Sequence, residues 1–256
     1  MLPFVRKGIA ESKAGNPQGT IVNFAPDRSG QTVVEFFNYE QARCSEGKVI
    51  ETSELAKVKQ FEGISWLCFF GLGDVEMLRQ TAETYGINPL SVEDILNPDH
   101  RPKLEVFDNY LLIIVKMIDI SEEGRLTSEQ VSFVIGDNYV LTFQERPGDV
   151  FDPIRDRLRK NVGRIRGMAS DYLALSLIDV VIDNYFIVLE SMAAALEELE
   201  LILLKTPDDF EGRDVHELKM QLFYMRKISW PLREIAAALL RTESPLLRPE
   251  SRIYFR

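Results

Sequence analysis

Apolar positions follow two different periods along this chain of 256 residues, and the change of period divides the chain in two. In the first part, apolar runs about as long as a strand predict strands at residues 20–24, 32–37, 64–70, 110–120, 131–135 and 139–143. Helical spacing predicts helices at residues 74–85, 89–97 and 153–161. Because hairpins are frequent and helices are interspersed, this part predicts a mixed sheet with helices packed against it, an α/β or α+β domain.

Heptad spacing dominates the second part of the chain. In one segment apolar residues recur alternately three and four positions apart, at Leu175, Ile178, Ile182, Tyr185, Leu189, Met192, Leu196, Leu199 and Leu203. The next segment keeps this spacing, at Val215, Leu218, Leu222, Met225, Ser229, Leu232, Ala236 and Leu239. The residues between them, 206–212, have the composition of a turn. A helix with such a stripe needs a partner, so the pattern predicts a long antiparallel helical hairpin.

These features divide the chain into predicted regions. Residues 1–19 form a flexible N-terminus, 20–165 the mixed-sheet domain, 166–245 the helical hairpin packed on it, and 246–256 the start of a further helix after Pro245 and Pro249. No glycine cap or proline stop closes that last helix, so we expect the soluble part of a longer protein. Crossing a membrane takes about 18 consecutive apolar residues, and because we find no such run we expect no membrane span.

Charge and residue types exclude several classes of function. Acidic residues outnumber basic ones by 40 to 30, and a net charge of -10 argues against a nucleic-acid surface. Cys44 and Cys68 lie too far apart to suggest a disulfide framework or a zinc knuckle. A Gly-Leu-Gly turn at 71–73 lacks the third glycine of a dinucleotide-binding loop. His100 and His216 belong to no recognisable catalytic motif, so we predict that the chain is not an enzyme.

Clustered carboxylates are the candidate metal ligands. Glu93 and Asp94 are adjacent on a short predicted helix, and Asp179 interrupts the apolar stretch 177–182, four residues before Asp183. A carboxylate among apolar neighbours needs a cation or a hydrogen-bond donor. Oxygen ligands without histidine or cysteine favour Mg²⁺ or Ca²⁺ over Zn²⁺, and Mg²⁺ needs only one or two carboxylates because it keeps its waters. The alternative interpretation of these acids is an ordinary solvated surface.

A series of short motifs follows in one order along the chain. They are Tyr-Gly-Ile-Asn-Pro-Leu-Ser-Val-Glu-Asp-Ile-Leu-Asn at 85–97, His-Arg-Pro-Lys-Leu-Glu at 100–105, Asp-Asn-Tyr at 108–110, Glu-Gln-Val-Ser at 129–132, Phe-Gln-Glu at 143–145, Gly-Asp-Val-Phe-Asp-Pro-Ile-Arg at 148–155, Asp-Tyr-Leu at 171–173, Trp-Pro-Leu-Arg-Glu at 230–234 and Tyr-Phe-Arg at 254–256. Together they resemble the cytoplasmic domain of the CorA family of magnesium and cobalt transporters. The resemblance covers nearly the whole chain from about residue 15.

This resemblance implies a fold and an assembly. The fold is an αβα sandwich with a mixed β-sheet, followed by a long antiparallel helical hairpin and the start of a stalk helix that leads to the membrane. The full-length protein is expected to be a homopentamer around a central pore in the cell membrane. The chain of 256 residues would be soluble on the cytoplasmic side, and it would meet the membrane only through C-terminal helices that lie beyond this sequence.

The resemblance also assigns roles to the candidate ligands. Divalent cations, Mg²⁺ with Co²⁺ or others as substitutes, are expected to bind between neighbouring subunits and to favour the closed pore. Asp94 matches a principal ligand, while Glu93 and Asp179 match a second site nearby. The other principal ligand in the family would follow Arg256 and is absent from this sequence.

Other interpretations stay open at this point. One is a ZntB-like zinc transporter domain, although the Glu93–Asp94 pair favours magnesium and cobalt. A second is a soluble assembly module without cation sensing, and a third is a soluble enzyme that uses the same fold.

Overall fold

The computed structural model describes residues 32–98, 100–121, 124–205 and 212–255. The predicted flexible segment 1–19, the predicted strand 20–24 and most of the predicted turn 206–212 lie outside these residues.

The described residues contain one mixed sheet of seven strands. The strands are β1 Val33–Tyr39, β2 Cys44–Val49, β3 Ile64–Phe70, β4 Lys103–Val106, β5 Leu111–Ile120, β6 Leu126–Ile135 and β7 Tyr139–Gln144. They lie side by side in the order β2-β1-β3-β7-β6-β5-β4. Strands β3 and β7 pair in parallel, with Trp66 opposite Val140, and every other neighbouring pair is antiparallel.

Helices cover both faces of this sheet. They are α1 Ser53–Lys59, α2 Val75–Tyr85, α3 Pro89–Leu96, α4 Asp152–Lys160, α5 Ser170–Lys205, α6 Gly212–Arg241 and α7 Pro249–Arg252. Buried residues of α1, α2 and α3 share one core with Leu112 and Ile114 of β5, whereas α4, α5 and α6 share the other core with Ile113 and Val115. Successive residues of a strand point to opposite faces, so β5 separates the two cores. The predicted αβα sandwich is confirmed.

Continuous apolar runs located the interior strands correctly, but two edge strands and helix α1 were missed. Strand β2 has the sequence Cys-Ser-Glu-Gly-Lys-Val and β4 has the sequence Lys-Leu-Glu-Val. Both strands end the sheet, and most of their residues are partly exposed. An edge strand with mixed polar residues carries no apolar run, because only one of its sides is paired.

Capping side chains fix the starts of helices α2 and α3. The Asp74 carboxylate accepts a hydrogen bond of 2.9 Å from the backbone N–H of Met77, which fixes the first turn of α2. That helix ends at Gly86, whose φ of 69° is the left-handed conformation that glycine adopts without strain. The Asn88 side chain then caps α3 by accepting from Leu90 N, with Pro89 at the first helical position.

Helix α5 packs along a stripe that differs from the predicted one. The prediction was wrong for Leu189, Leu196 and Leu203, which are 40%, 52% and 48% exposed. Ile178, Tyr185 and Met192 are buried as predicted, and Val181 and Val188, which the heptad pattern did not select, complete the buried stripe. The reason is contact with the sheet, because the Tyr185 hydroxyl donates to Lys116 O and the Asn184 amide donates to Ile118 O of β5.

In the second long helix, α6, some of the predicted apolar positions are buried and others are exposed. Leu218, Met225 and Leu239 of α6 are buried as predicted, whereas Val215 and Leu222 are exposed. Ile228 and Ile235, which the heptad pattern did not select, complete its buried face. Helices α5 and α6 contact each other as well as the sheet. The face that each helix buries is therefore set partly by the sheet.

One helix of the described residues, α5, is long and apolar enough to cross a membrane by length and composition alone. This differs from the expectation of no membrane span, which rested on the absence of an unbroken apolar run. The same helix carries residues from Leu173 to Met192 that are buried in the core shared with the sheet. A core helix passes the same test, so the criterion is weak evidence for a membrane span.

Candidate metal site

Helix α3 carries two of the predicted ligands, and hydrogen bonds fix its beginning. The backbone N–H of Asn88 donates to the Tyr110 hydroxyl over 3.1 Å, and that hydroxyl lies 2.7 Å from the hydroxyl of Ser91. Tyr110 and Ser91 are both buried. The first turn of α3 is therefore tied to the residue that precedes β5.

Buried polar side chains of the sheet fix the other end of α3. The Gln130 amide nitrogen donates to the backbone carbonyls of Asp94 over 2.9 Å and Ile95 over 3.2 Å. The Lys116 ammonium donates to the carbonyl of Pro98 over 2.6 Å. The last carbonyls of a helix have no partner within it, and these side chains supply donors to them and to the chain that follows. The backbone that carries Asp94 is therefore held rigidly.

The Asp94 carboxylate is engaged at both oxygens. Its Oδ2 accepts from the Lys103 ammonium over 2.6 Å, and its Oδ1 lies 3.1 Å from Nε2 of His100. The Lys103 ammonium also donates to Oε1 of Glu105 over 2.8 Å. The side chains of Asp94, Lys103 and His100 are only 20%, 21% and 26% exposed, so solvent screens these contacts incompletely.

These contacts determine the charge state of the pair. Partial burial opposes ionisation of Asp94, but hydrogen bonds from His100 and Lys103 outweigh it and lower the pKa of the carboxyl. Partial burial likewise opposes protonation of Lys103, but its hydrogen bonds to Asp94 and Glu105 raise the pKa of the ammonium. Asp94 is therefore an anion and Lys103 a cation throughout the physiological pH range.

An open pocket of about 620 Å³ lies beside this pair. Glu93, Asp94 and Glu105 line it, together with Asn88, Leu90, Val106 and Phe107. Carboxylate oxygens are the donors that Mg²⁺ prefers, so the chemistry of this wall fits a hard divalent cation. Within the part of the chain that the structure describes, however, no group of three or more His, Cys, Asp or Glu residues could hold a metal ion. One chain therefore supplies at most one wall of such a site.

The third predicted ligand, Asp179, lies on the other face of the sheet. It is an exposed residue of α5, whereas Glu93 and Asp94 belong to α3. Desolvation and the nearby charge of Asp183 raise the pKa of Asp179, and Arg157 opposes that shift. Within one chain the structure brings Glu93 and Asp94 together and keeps Asp179 apart from them.

Sequence reasoning missed the basic partners of Asp94. His100 and Lys103 fall in the motif at 100–105, as does Glu105, which pairs with Lys103, but no role was assigned to them. One available signal was the spacing of Lys103 and Glu105, which places both on the same face of a strand. Strand β4 was not predicted, and without a predicted strand the spacing of the two residues does not indicate a shared face.

Comparison with known proteins identifies the family of the chain that carries this site. A family model described as CorA-like Mg²⁺ transporter protein matches residues 61–256. The cobalt/magnesium transport protein CorA of Thermotoga maritima is 38% identical over 246 residues, which cover 96% of this chain and 70% of that protein.

Two solved structures share the fold. The soluble domain of CorA from Methanocaldococcus jannaschii matches with a TM-score of 0.67 at 19% identity, over 87% of this chain and 84% of that one. The ZntB cytoplasmic domain from Vibrio parahaemolyticus matches with a TM-score of 0.63 at 14% identity, over 87% of this chain and 86% of that one. At such identities a structural match shows the fold alone. With the family model and the Thermotoga relative, it follows that the chain belongs to the CorA-like Mg²⁺ transporter protein family.

Proposed function

We propose that this chain is the cytoplasmic, cation-sensing regulatory domain of a divalent metal transporter that takes Mg²⁺ and Co²⁺ across the cell membrane. Membership of the family and the name of the Thermotoga relative support the assignment of Mg²⁺ and Co²⁺ as the transported ions. One observation carries the sensing role. Asp94 is an ionised, partly buried carboxylate on a rigidly held helix, and it faces an open pocket together with Glu93 and Glu105. A carboxylate so placed is suited to meet a cation from outside the chain.

In this proposal the ligands come from two subunits of a homopentamer. Glu93 and Asp94 line a pocket on one face, and Asp179 is exposed on the other face. Because the sheet separates Asp179 from Glu93 and Asp94 within one chain, we assign the completion of the pocket to Asp179 of the partner subunit. The hard oxygen donors of both subunits hold Mg²⁺, with Co²⁺ or other divalent cations as substitutes.

Cation binding then acts by a population shift. Carboxylates of two subunits that share a cation favour the tight arrangement, in which the pore is closed. Without the cation the same carboxylates repel each other across the interface, and the ring loosens. The cation moves this equilibrium only by its difference in affinity for the two arrangements.

Limited proteolysis of the full-length protein tests this proposal. We expect Mg²⁺ to protect the cytoplasmic domain from cleavage, because the closed ring is tighter, and we expect Asp94→Asn to require at least several-fold more Mg²⁺ for the same protection. Asp156→Asn is the matched control, since Asp156 is an exposed acid of α4 on the opposite face from α3. Equal Mg²⁺ requirements for the wild type and Asp94→Asn would overturn the proposed role.

A ZntB-like zinc transporter is the alternative for the transported ion. The matches show that proteins named CorA and ZntB share this fold, so the fold does not distinguish between the two alternatives for the transported ion. Measuring the uptake of Mg²⁺, Co²⁺ and Zn²⁺ by the full-length protein would distinguish the two alternatives. We expect Mg²⁺ and Co²⁺ to compete for uptake, and uptake of Zn²⁺ alone would favour the alternative.

A further inference from the structure

The Lys103 ammonium occupies the carboxylates that the proposed site needs. It lies 2.6 Å from Oδ2 of Asp94 and 2.8 Å from Oε1 of Glu105. Both acids line the same open pocket, next to Glu93. Two of these three carboxylates therefore already share one monovalent cation that belongs to the chain itself.

The placement of Lys103 allows its ammonium to leave. Its backbone is fixed in the edge strand β4, where it pairs with Ile114. Its charge lies at the end of a flexible four-carbon stem, and an ammonium binds as a compact point charge without the fixed geometry of a guanidinium. The side chain can therefore change rotamer while the strand stays in place. His100 contacts the other oxygen, Oδ1, and can keep the carboxylate oriented.

We propose that Lys103 is a built-in competitor of the regulatory divalent cation. Its ammonium offsets one of the two negative charges of Asp94 and Glu105 when the cation is absent, and it must leave Oδ2 of Asp94 before that oxygen can bind Mg²⁺. This inference rests on the proposed function of the same pocket. Its consequence is that Lys103 sets the Mg²⁺ concentration at which the site fills, because part of the binding free energy is spent on displacing the ammonium.

A purely structural role predicts the opposite sign. If Lys103 only positions Asp94, then removing the ammonium disorders the carboxylate and weakens Mg²⁺ binding. If Lys103 competes, removing it frees one oxygen, makes the pocket more negative and strengthens binding. The direction of the change therefore distinguishes the two roles.

The test is a titration of the assembled full-length protein with Mg²⁺ under the proteolysis conditions described above, with half-saturation measured as the Mg²⁺ concentration that gives half of the full protection from cleavage. For Lys103→Gln we expect half-saturation at an Mg²⁺ concentration about three- to fivefold lower than for the wild type, on the scale of one partly exposed ion pair. Lys103→Arg keeps the charge, and we expect it to bind Mg²⁺ no more tightly than the wild type.

Lys160→Gln is the matched control, because it removes the same charge from an exposed ion pair with Asp156 on the opposite face. It should change half-saturation by less than about twofold, since screening weakens charges that far away. A Lys103→Gln variant that binds Mg²⁺ equally or more weakly would overturn the inference, as would equal tightening by Lys160→Gln.

Asp94→Asn separates this inference from the proposed function. If it weakens Mg²⁺ binding while Lys103→Gln fails to strengthen it, only the role of Lys103 is wrong. If Asp94→Asn leaves Mg²⁺ binding unchanged, the proposed ligand is wrong and the inference about Lys103 falls with it. Thermal denaturation of each variant confirms that it is folded.

Discussion

Glu129 shows how burial changes the chemistry of one side chain. It lies in β6 with its side chain only 5% exposed, and burial raises the pKa of its carboxyl to about 7. Arg146, whose Nε lies 3.3 Å from Oε2, opposes that shift, and the nearby charge of Glu145 adds to it. The ionised form is therefore less stable in the folded protein than in the unfolded chain.

This gives a prediction about stability and pH. Between pH 4.5 and about 7 the folded protein holds a proton on Glu129 that the unfolded chain has released, so this residue makes the free energy of unfolding fall as pH rises. Glu129→Gln removes that contribution, which is up to about 3 kcal/mol at pH 8. Urea denaturation from pH 5 to 8 measures it.

The control for that experiment is Glu190→Gln, because Glu190 is exposed on α5. We expect this variant to keep the pH dependence of the wild type. If Glu129→Gln also keeps it, the carboxyl of Glu129 is ionised at ordinary pH and its burial does not have the effect described.

Individual residues of the site could be predicted only in part. Adjacent acids identified Glu93 and Asp94 as candidates, because a run of charges is visible in the sequence. The pairing of Asp94 with Lys103 was not visible, since it joins a helix to an edge strand that has no apolar run. The apolar neighbours of Asp179 in the sequence suggested a carboxylate that needs a cation or a donor, but helical rotation turns Asp179 outward to solvent while Ile178 and Val181 face the core.

Helices that begin with a capping residue, and strands that are buried on both faces, were predicted well. Asp74 and Asn88 accept hydrogen bonds from the first turns of α2 and α3, as expected of capping residues. The interior strands were predicted because both of their faces are buried, as for Leu112 and Ile113 of β5. The orientation of α5 was not, because the heptad pattern alone does not say that a helix packs on a sheet as well as on another helix.

The orientation of α5 leads to a prediction with neighbouring residues as its own control. Val188 is 1% exposed and Leu189 is 40% exposed. Val188→Asp places an unpaired charge in the core and should lower the free energy of unfolding by about 3 kcal/mol or more, whereas Leu189→Asp should cost about 1 kcal/mol or less. Urea denaturation of the two variants measures both. Equal losses, or a larger loss for Leu189→Asp, would show that α5 packs along the heptad stripe instead.

At the scale of the whole molecule, the sandwich explains why one chain is not enough for the proposed site. The pocket with Glu93 and Asp94 lies on the side of α3, and Asp179 lies on the side of α5. The sequence predicted the layers but not which acids would share a layer, because that depends on the order of strands in the sheet. The proposed interface between subunits follows from this separation.

The most direct test of the account is flux through the reconstituted full-length protein while Mg²⁺ on the cytoplasmic side is titrated. In Asp94→Ala, loss of a ligand weakens closure at high Mg²⁺, and loss of one negative charge reduces repulsion at low Mg²⁺. We therefore expect transport to persist with a flatter dependence on cytoplasmic Mg²⁺, while Asp156→Ala keeps the dependence of the wild type. If Asp94→Ala closes over the same Mg²⁺ range as the wild type, Asp94 is not a sensor and the account is contradicted.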